Sequence, residues 1–102
     1  MDMKFLMRQA QEMQKKMEAI KEELAHKEIK VTSGGGMVEL VINGQQEIKE
    51  IHIEPDIIDR EDKEMLEDLI LAAVNEGIKQ SKEMLNEEIM KLTGGINLPG
   101  LL

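Results

Sequence analysis

The side chains best suited to chemistry in this sequence are basic ones. Lys4, Arg8 and Lys15 stand four and seven residues apart, with Lys16 adjacent. Those spacings align the first three along one helical stripe, beside an apolar seam. Lys79 and Lys82 sit one turn apart in a second helical stretch, with Lys91 farther along. A row of cations on a helix suits phosphate, and duplex DNA presents dense, regular negative charge to such an arm. Lys interleaved with Glu also serves simply to solvate a long helix. The residues alone leave both readings open.

Other candidate sites reduce to structural roles. His26 and His52 are far apart in sequence, one at a helix end and the other on a strand. "DREDKE" (residues 59–64) clusters carboxylates without the glycine and ligand spacing of a calcium loop, and reads as the acidic first turn of a helix. "SGGG" follows a strand but precedes another strand, so it is a hairpin turn and not a phosphate cradle. No nucleophile stands with a base. An enzyme, a cofactor and a small-molecule substrate are therefore not expected. With Phe5 the one aromatic residue, the chain lacks a platform for stacking single-stranded bases.

The elements that must position these residues follow from periodicity. Met3, Ala10, Met17 and Leu24 repeat every seven, as do Leu6, Met13 and Ile20. The two series form a coiled-coil seam on a helix over residues 3–26. The stripe is narrower than a sheet-packed helix usually shows, so this helix is expected to project and pair with another. Its methionines are adaptable fillers of that seam, and a metal or promiscuous peptide surface is the minor alternative.

Residues 28–54 alternate with period two and predict a three-stranded antiparallel meander. Ile29 and Val31, then Val38, Leu40 and Ile42, then Ile51 and Ile53 share one face. Gly34–Gly36 and Asn43-Gly44 are the turns, as residues that tolerate positive φ. A four-residue loop, Asn43–Gln46, pairs Val38 with Ile51 and puts Val41 and Ile48 together on the opposite face. A sheet apolar on both sides suggests a subunit interface, with Val38, Val41, Ile42 and Ile48 as its candidate residues. A second helix is expected over residues 59–93, capped by Asp59 and stopped by Gly94. Its face is broad from Leu66 to Ile78, suiting a sheet. Beyond, it narrows to Ser81, Leu85, Ile89 and Leu92, suiting a helix. Residues 94–102 form an apolar tail. The expected architecture is α+β, in the order α-β-β-β-α, with two long helices extending past a small sheet.

Size and charge set further bounds. A chain of 102 residues has room for one domain, and a core lacking aromatic bulk suggests an oligomer. The absence of cysteine fits a cytoplasmic protein. The N-terminus lacks the apolar run of a signal peptide, and no stretch approaches the ~20 apolar residues of a membrane span. The formal charge is −8, yet residues 1–27 hold six Lys or Arg against five Asp or Glu. The acidic surplus lies in the sheet region and the C-terminal half, so any basic surface must act locally, within a Debye length of ~8–10 Å.

Four segments occur together in order: "LMRQAQEMQKKMEAIKEEL", "SGGGMVELVINGQQEI", "IHIEPDII" and "DKEMLEDLILAAVNEGIK". In that order the chain resembles the YbaB/EbfC family of bacterial nucleoid-associated proteins over residues 3–92, with "LPG" of the tail also matching. The resemblance implies a cytoplasmic, nucleoid-associated homodimer shaped like tweezers. Its subunits would join through their sheets, and duplex DNA would lie between or against the helical arms. The residues that could serve are Lys4, Arg8, Lys15 and Lys16, with Lys79 and Lys82 as secondary candidates. This sequence departs from the family in its short leader, "MDMKF", and in its acidity. The competing function is an acidic dimeric module whose arms hold a partner protein, with DNA contact incidental.

Overall fold

Two helices of unequal burial frame a small sheet. The structure, a computed structural model, describes residues 2–94, so residues 95–102 of the expected tail lie outside the described residues. Helix α1 spans Met3–Ala25 and is followed by strands β1 (Glu28–Ser33), β2 (Val38–Asn43) and β3 (Ile48–Ile53). Two 3₁₀ turns, Pro55–Ile57 and Arg60–Asp62, lead into α2, Lys63–Thr93. The strands pair antiparallel in the order β1-β2-β3. The described part is elongated, 68 × 22 × 18 Å.

Local signals explain the element ends. Asp2 caps α1 by accepting a 2.7 Å hydrogen bond from the Phe5 N–H. Asp59 accepts from Glu61 and closes the preceding 3₁₀ turn, so α2 starts three residues later, with Asp62 accepting from Met65. Both acids obey the same rule, that a carboxylate caps orphan N–H groups; the first finds a tighter turn to cap. Gly94 ends α2 in the left-handed region, φ 68°.

The core lies between one face of the sheet and the first half of α2. Val31, Val38, Leu40, Ile42, Ile57 and Ala73 are buried together, with Ile29, Ile53, Leu66, Leu69, Ile70, Val74 and Ile78 packed around them. Gly77 brings α2 down onto β2, since a Cβ there would stand 2.9 Å from Leu40 Cδ2. Helix α2 lies over β1 and β2 and leaves β3 largely uncovered.

Three expectations about the sheet change. Val38 stands opposite Ile53, not Ile51, and Leu40 stands opposite Ile51. The register shifts between Val41 and Ile42, which places Ile48 opposite Ile42. Directly opposed residues point to one face, so Ile48 is on the α2 side and does not share a face with Val41. The outer face is polar: Val41 is flanked by Lys30 and Glu50, beside a row of Thr32, Glu39 and His52. An ion pair of 3.2 Å joins Lys30 to Glu39. The sheet is therefore apolar on one side only. Among the interface candidates, Val38 and Ile42 are wholly buried in this chain's own core and have no surface to offer a second subunit.

Candidate nucleic-acid interface

The root of the two helices is built on the β2–β3 turn, through bonds that the sequence reading did not anticipate. Asn43 is fully buried. Its side-chain amide donates to the Ala25 carbonyl at 3.0 Å and to Glu47 Oε1 at 2.9 Å. Its Oδ1 accepts the N–H groups of Gln45 (2.9 Å) and Glu47 (3.0 Å). Gly44 N–H donates to the Leu24 carbonyl at 2.8 Å, and the Gln45 amide donates to the Lys21 carbonyl. From the other side, buried Ser81 of α2 donates to the Asn43 carbonyl at 2.8 Å and accepts the Gln46 N–H at 2.9 Å. The end of α1, the turn and mid-α2 thus form one hydrogen-bonded unit.

That unit corrects two readings. Ser81 is bonded to the turn and is not part of a helix-pairing stripe. The Asn43-Gly44 pair does not serve by positive φ either, because Gln46 takes that conformation, at φ 63°. Gly44 is needed for close approach: a Cβ there would stand 2.7 Å from Leu24 Cβ and 2.9 Å from the Leu24 carbonyl oxygen. A leucine one residue before the end of a projecting helix was the signal that something must cover it.

Above the root, α1 and α2 run antiparallel. Leu24 and Ile89 are buried, while Met17, Ile20, Leu85 and Leu92 are half-buried. Lys27 reaches Glu23 at 3.3 Å and Glu88 at 3.9 Å, tying the helices at the surface. The described α2 gives α1 no cover beyond Met17. Residues 3–16 form a tip about 21 Å long at 1.5 Å per residue, every residue of it exposed. Half of the heptad seam therefore has no partner among the described residues: Met3, Leu6 and Met13 are 71, 46 and 38 % exposed.

The basic residues divide into two places. Lys4, Arg8, Lys15 and Lys16 all lie on the tip, and no ion pair among the described residues involves them. At 100° per residue, Lys4, Lys15 and Arg8 fall within about 40° of arc, centred about 160° round the helix from the seam. They form the back of the tip and not a flank of the seam. Glu12 separates this line from Lys16. The tip, residues 3–16, carries four cations against one carboxylate, net +3. Lys79 and Lys82, by contrast, are exposed near the root in different grooves. Lys79 lies among Glu76, Glu83 and Glu87 beside Ile29. Lys82 lines a recess of about 400 Å³ with Gln46, Leu85 and Asn86. The fold does not join them to the tip.

At the opposite end, residues 54–68 hold eight carboxylates against two cations, net −6. About 45 Å of helix separates the start of α2 from its end, several Debye lengths at physiological salt. The molecule is acidic at its sheet end and basic at its tip. His52 sits on the outer sheet face, 3.2 Å from Glu50 Oε1, and His26 closes α1 as its C-cap. Among the described residues, no three His, Asp or Glu side chains gather as a metal site. No helix there is long and apolar enough to cross a membrane.

The model of the YbaB/EbfC DNA-binding family matches residues 1–96. The chain belongs to the YbaB/EbfC family. It is 52 % identical over 101 residues to a nucleoid-associated protein of Desulfotalea psychrophila, covering 99 % of this chain and 95 % of the relative. It is 48 % identical over 96 residues to one of Thermoanaerobacter pseudethanolicus, covering 94 % and 86 %. The crystal structure of an uncharacterized protein from Helicobacter pylori superimposes with a TM-score of 0.84 at 28 % identity, covering 92 % of this chain and 99 % of the other. Helix, three-stranded antiparallel sheet and long C-terminal helix are thus the YbaB/EbfC architecture. The family is described by DNA binding, not by catalysis.

Proposed function

We propose that this YbaB/EbfC protein binds duplex DNA as a homodimer, in the cytoplasm on the nucleoid, through the back of the α1 tip. The observation that carries the reading is the net +3 of an exposed 14-residue tip in a chain of net −8. Lys4, Arg8 and Lys15 face one way, unpaired, and Lys16 extends the charge to one side. Such contacts meet phosphates, which position a protein on DNA without reading its sequence. Binding is accordingly of low specificity and strongly salt-dependent. The acidic sheet end is held away from the duplex by the length of the molecule. Lys79, among the carboxylates of Glu76, Glu83 and Glu87, and Lys82, in a separate recess at the root, add little.

A second copy is supported by β3. It is an edge strand with unpaired backbone groups, and Ile48 and Ile51 remain 46 and 44 % exposed on the side that α2 leaves open. Leu71 of α2 is 59 % exposed. A symmetric contact across β3 would cover these residues and leave both tips free. Of the original interface candidates, only Ile48 belongs to it.

Mobility shift with duplex DNA tests the DNA reading. Wild type is expected to shift DNA at low salt, and charge reversal at Lys4, Arg8 and Lys15 to abolish the shift. An unchanged shift in the reversed variant would defeat the reading. Sedimentation at dilution tests the dimer: wild type should be dimeric and Ile51→Glu monomeric. A wild-type monomer at every concentration would refute it.

A further inference from the structure

The exposed half of the α1 seam has no partner among the described residues. We propose that the α1 tip of one molecule pairs antiparallel with the tip of a second copy, over residues 3–13, as a short two-stranded coiled coil. The heptad places Met3 and Ala10 at a, and Leu6 and Met13 at d. Lower in the same seam Met17, Ile20 and Leu24 already turn towards α2, so the tip continues an interface that the fold uses. In antiparallel helices each a residue meets a d residue of the partner. The register that leaves Met17 and Ile20 to α2 puts Met3 opposite Met13 and Leu6 opposite Ala10, each twice by symmetry. Large side chains then face small ones in the central layers, as close packing requires.

The flanking positions agree. In that register Asp2 of one chain meets Lys16 of the other, again twice, and these are opposite charges. Gln9 meets Gln9 and Met7 meets Met7 on the two-fold axis, so no like charges oppose across the seam. Complementary flanks select both partner and orientation in such helices. In-register parallel pairing would instead set Lys16 beside no acid and Ala10 against Ala10, leaving a layer underfilled.

The contact uses the face opposite Lys4, Arg8 and Lys15. On the DNA reading above, a paired tip therefore presents two basic backs pointing away from each other, the arrangement of a bridge between two duplexes.

The chain has no cysteine, which makes disulfide capture a clean test, run without DNA. Leu6→Cys and Ala10→Cys chains, each full length, are oxidised mildly alone and mixed, with circular dichroism confirming helix. Core-layer partners across a two-helix seam stand within disulfide reach. The mixture should give about tenfold or more cross-linked chain pairs than either variant alone, because paired cysteines meet at millimolar effective concentration. Cross-linking of either variant with itself to the same extent would overturn the antiparallel register. A mixture without cross-links would overturn the pairing, whether the seam stays open or is filled from the same chain. Wild-type sedimentation gives an independent reading. Its mass should rise with concentration beyond that of Leu6→Gln/Met13→Gln, and identical masses would refute the proposal. Since no DNA is present, failure here leaves the phosphate-binding reading intact.

Discussion

The two halves of α1 carry one heptad pattern and meet two fates. From Met17 to Leu24 the seam is covered by α2, and its end is bonded to the β2–β3 turn through Ala25, Leu24 and Lys21. From Met3 to Met13 the same spacing of apolar residues stays exposed. The difference lies in α2, which ends at Thr93 before the tip begins. Burial is thus decided by what another element reaches, and a periodic stripe reports only readiness to pair. Charge follows the same division. Just past the covered half Lys27 pairs with Glu23 and Glu88, while the cations of the tip make no ion pair among the described residues.

Substitutions should separate the halves by size of effect. The largest is expected at Leu24→Ala, which empties a fully buried site between α1, Gly44 and α2. It should cost about 2–5 kcal/mol in urea unfolding, and an effect below 1 kcal/mol would mean that the root does not hold the helices as described. Next comes Asn43→Ala, which removes two donors and an acceptor and leaves buried backbone groups without partners. About 2–3 kcal/mol is expected, read as a fall in Tm of roughly 10–20 °C for a domain of this size. Met13→Ala, in the same seam as Leu24, should change monomer stability by less than about 0.5 kcal/mol, as an exposed site does. A loss as large as that at Leu24 would erase the distinction between covered and open seam.

Much of this architecture was legible in the sequence. The heptad of α1, the alternation of the strands and the split face of α2 gave the order α-β-β-β-α, because each rests on a period that the backbone imposes. What escaped was set by tertiary partners. The strand register moved because the turn lies one residue later, with Asn43 paired to Glu47 across it, and because a bulge at Lys49 adds one more residue on β3. Asp59 lost its helix to a 3₁₀ turn. Ser81 looked like part of a seam, since a small residue at the right spacing gives no sign that its hydroxyl will hold two backbone groups 35 and 38 residues away. The spacing of Lys4, Arg8 and Lys15 does align them on one stripe, but that stripe does not lie beside the seam. The angular sum places them at the back.

Duplex binding through that back surface is tested most directly by its salt dependence. Each phosphate contact adds about 0.9 to the magnitude of the slope of log K against log salt. Lys4→Gln/Arg8→Gln/Lys15→Gln should lower that magnitude by about 3 per tip engaged, while Lys79→Gln/Lys82→Gln should leave it nearly unchanged. A slope that survives loss of the tip cations, or that collapses with the pair at the root, would contradict the assignment.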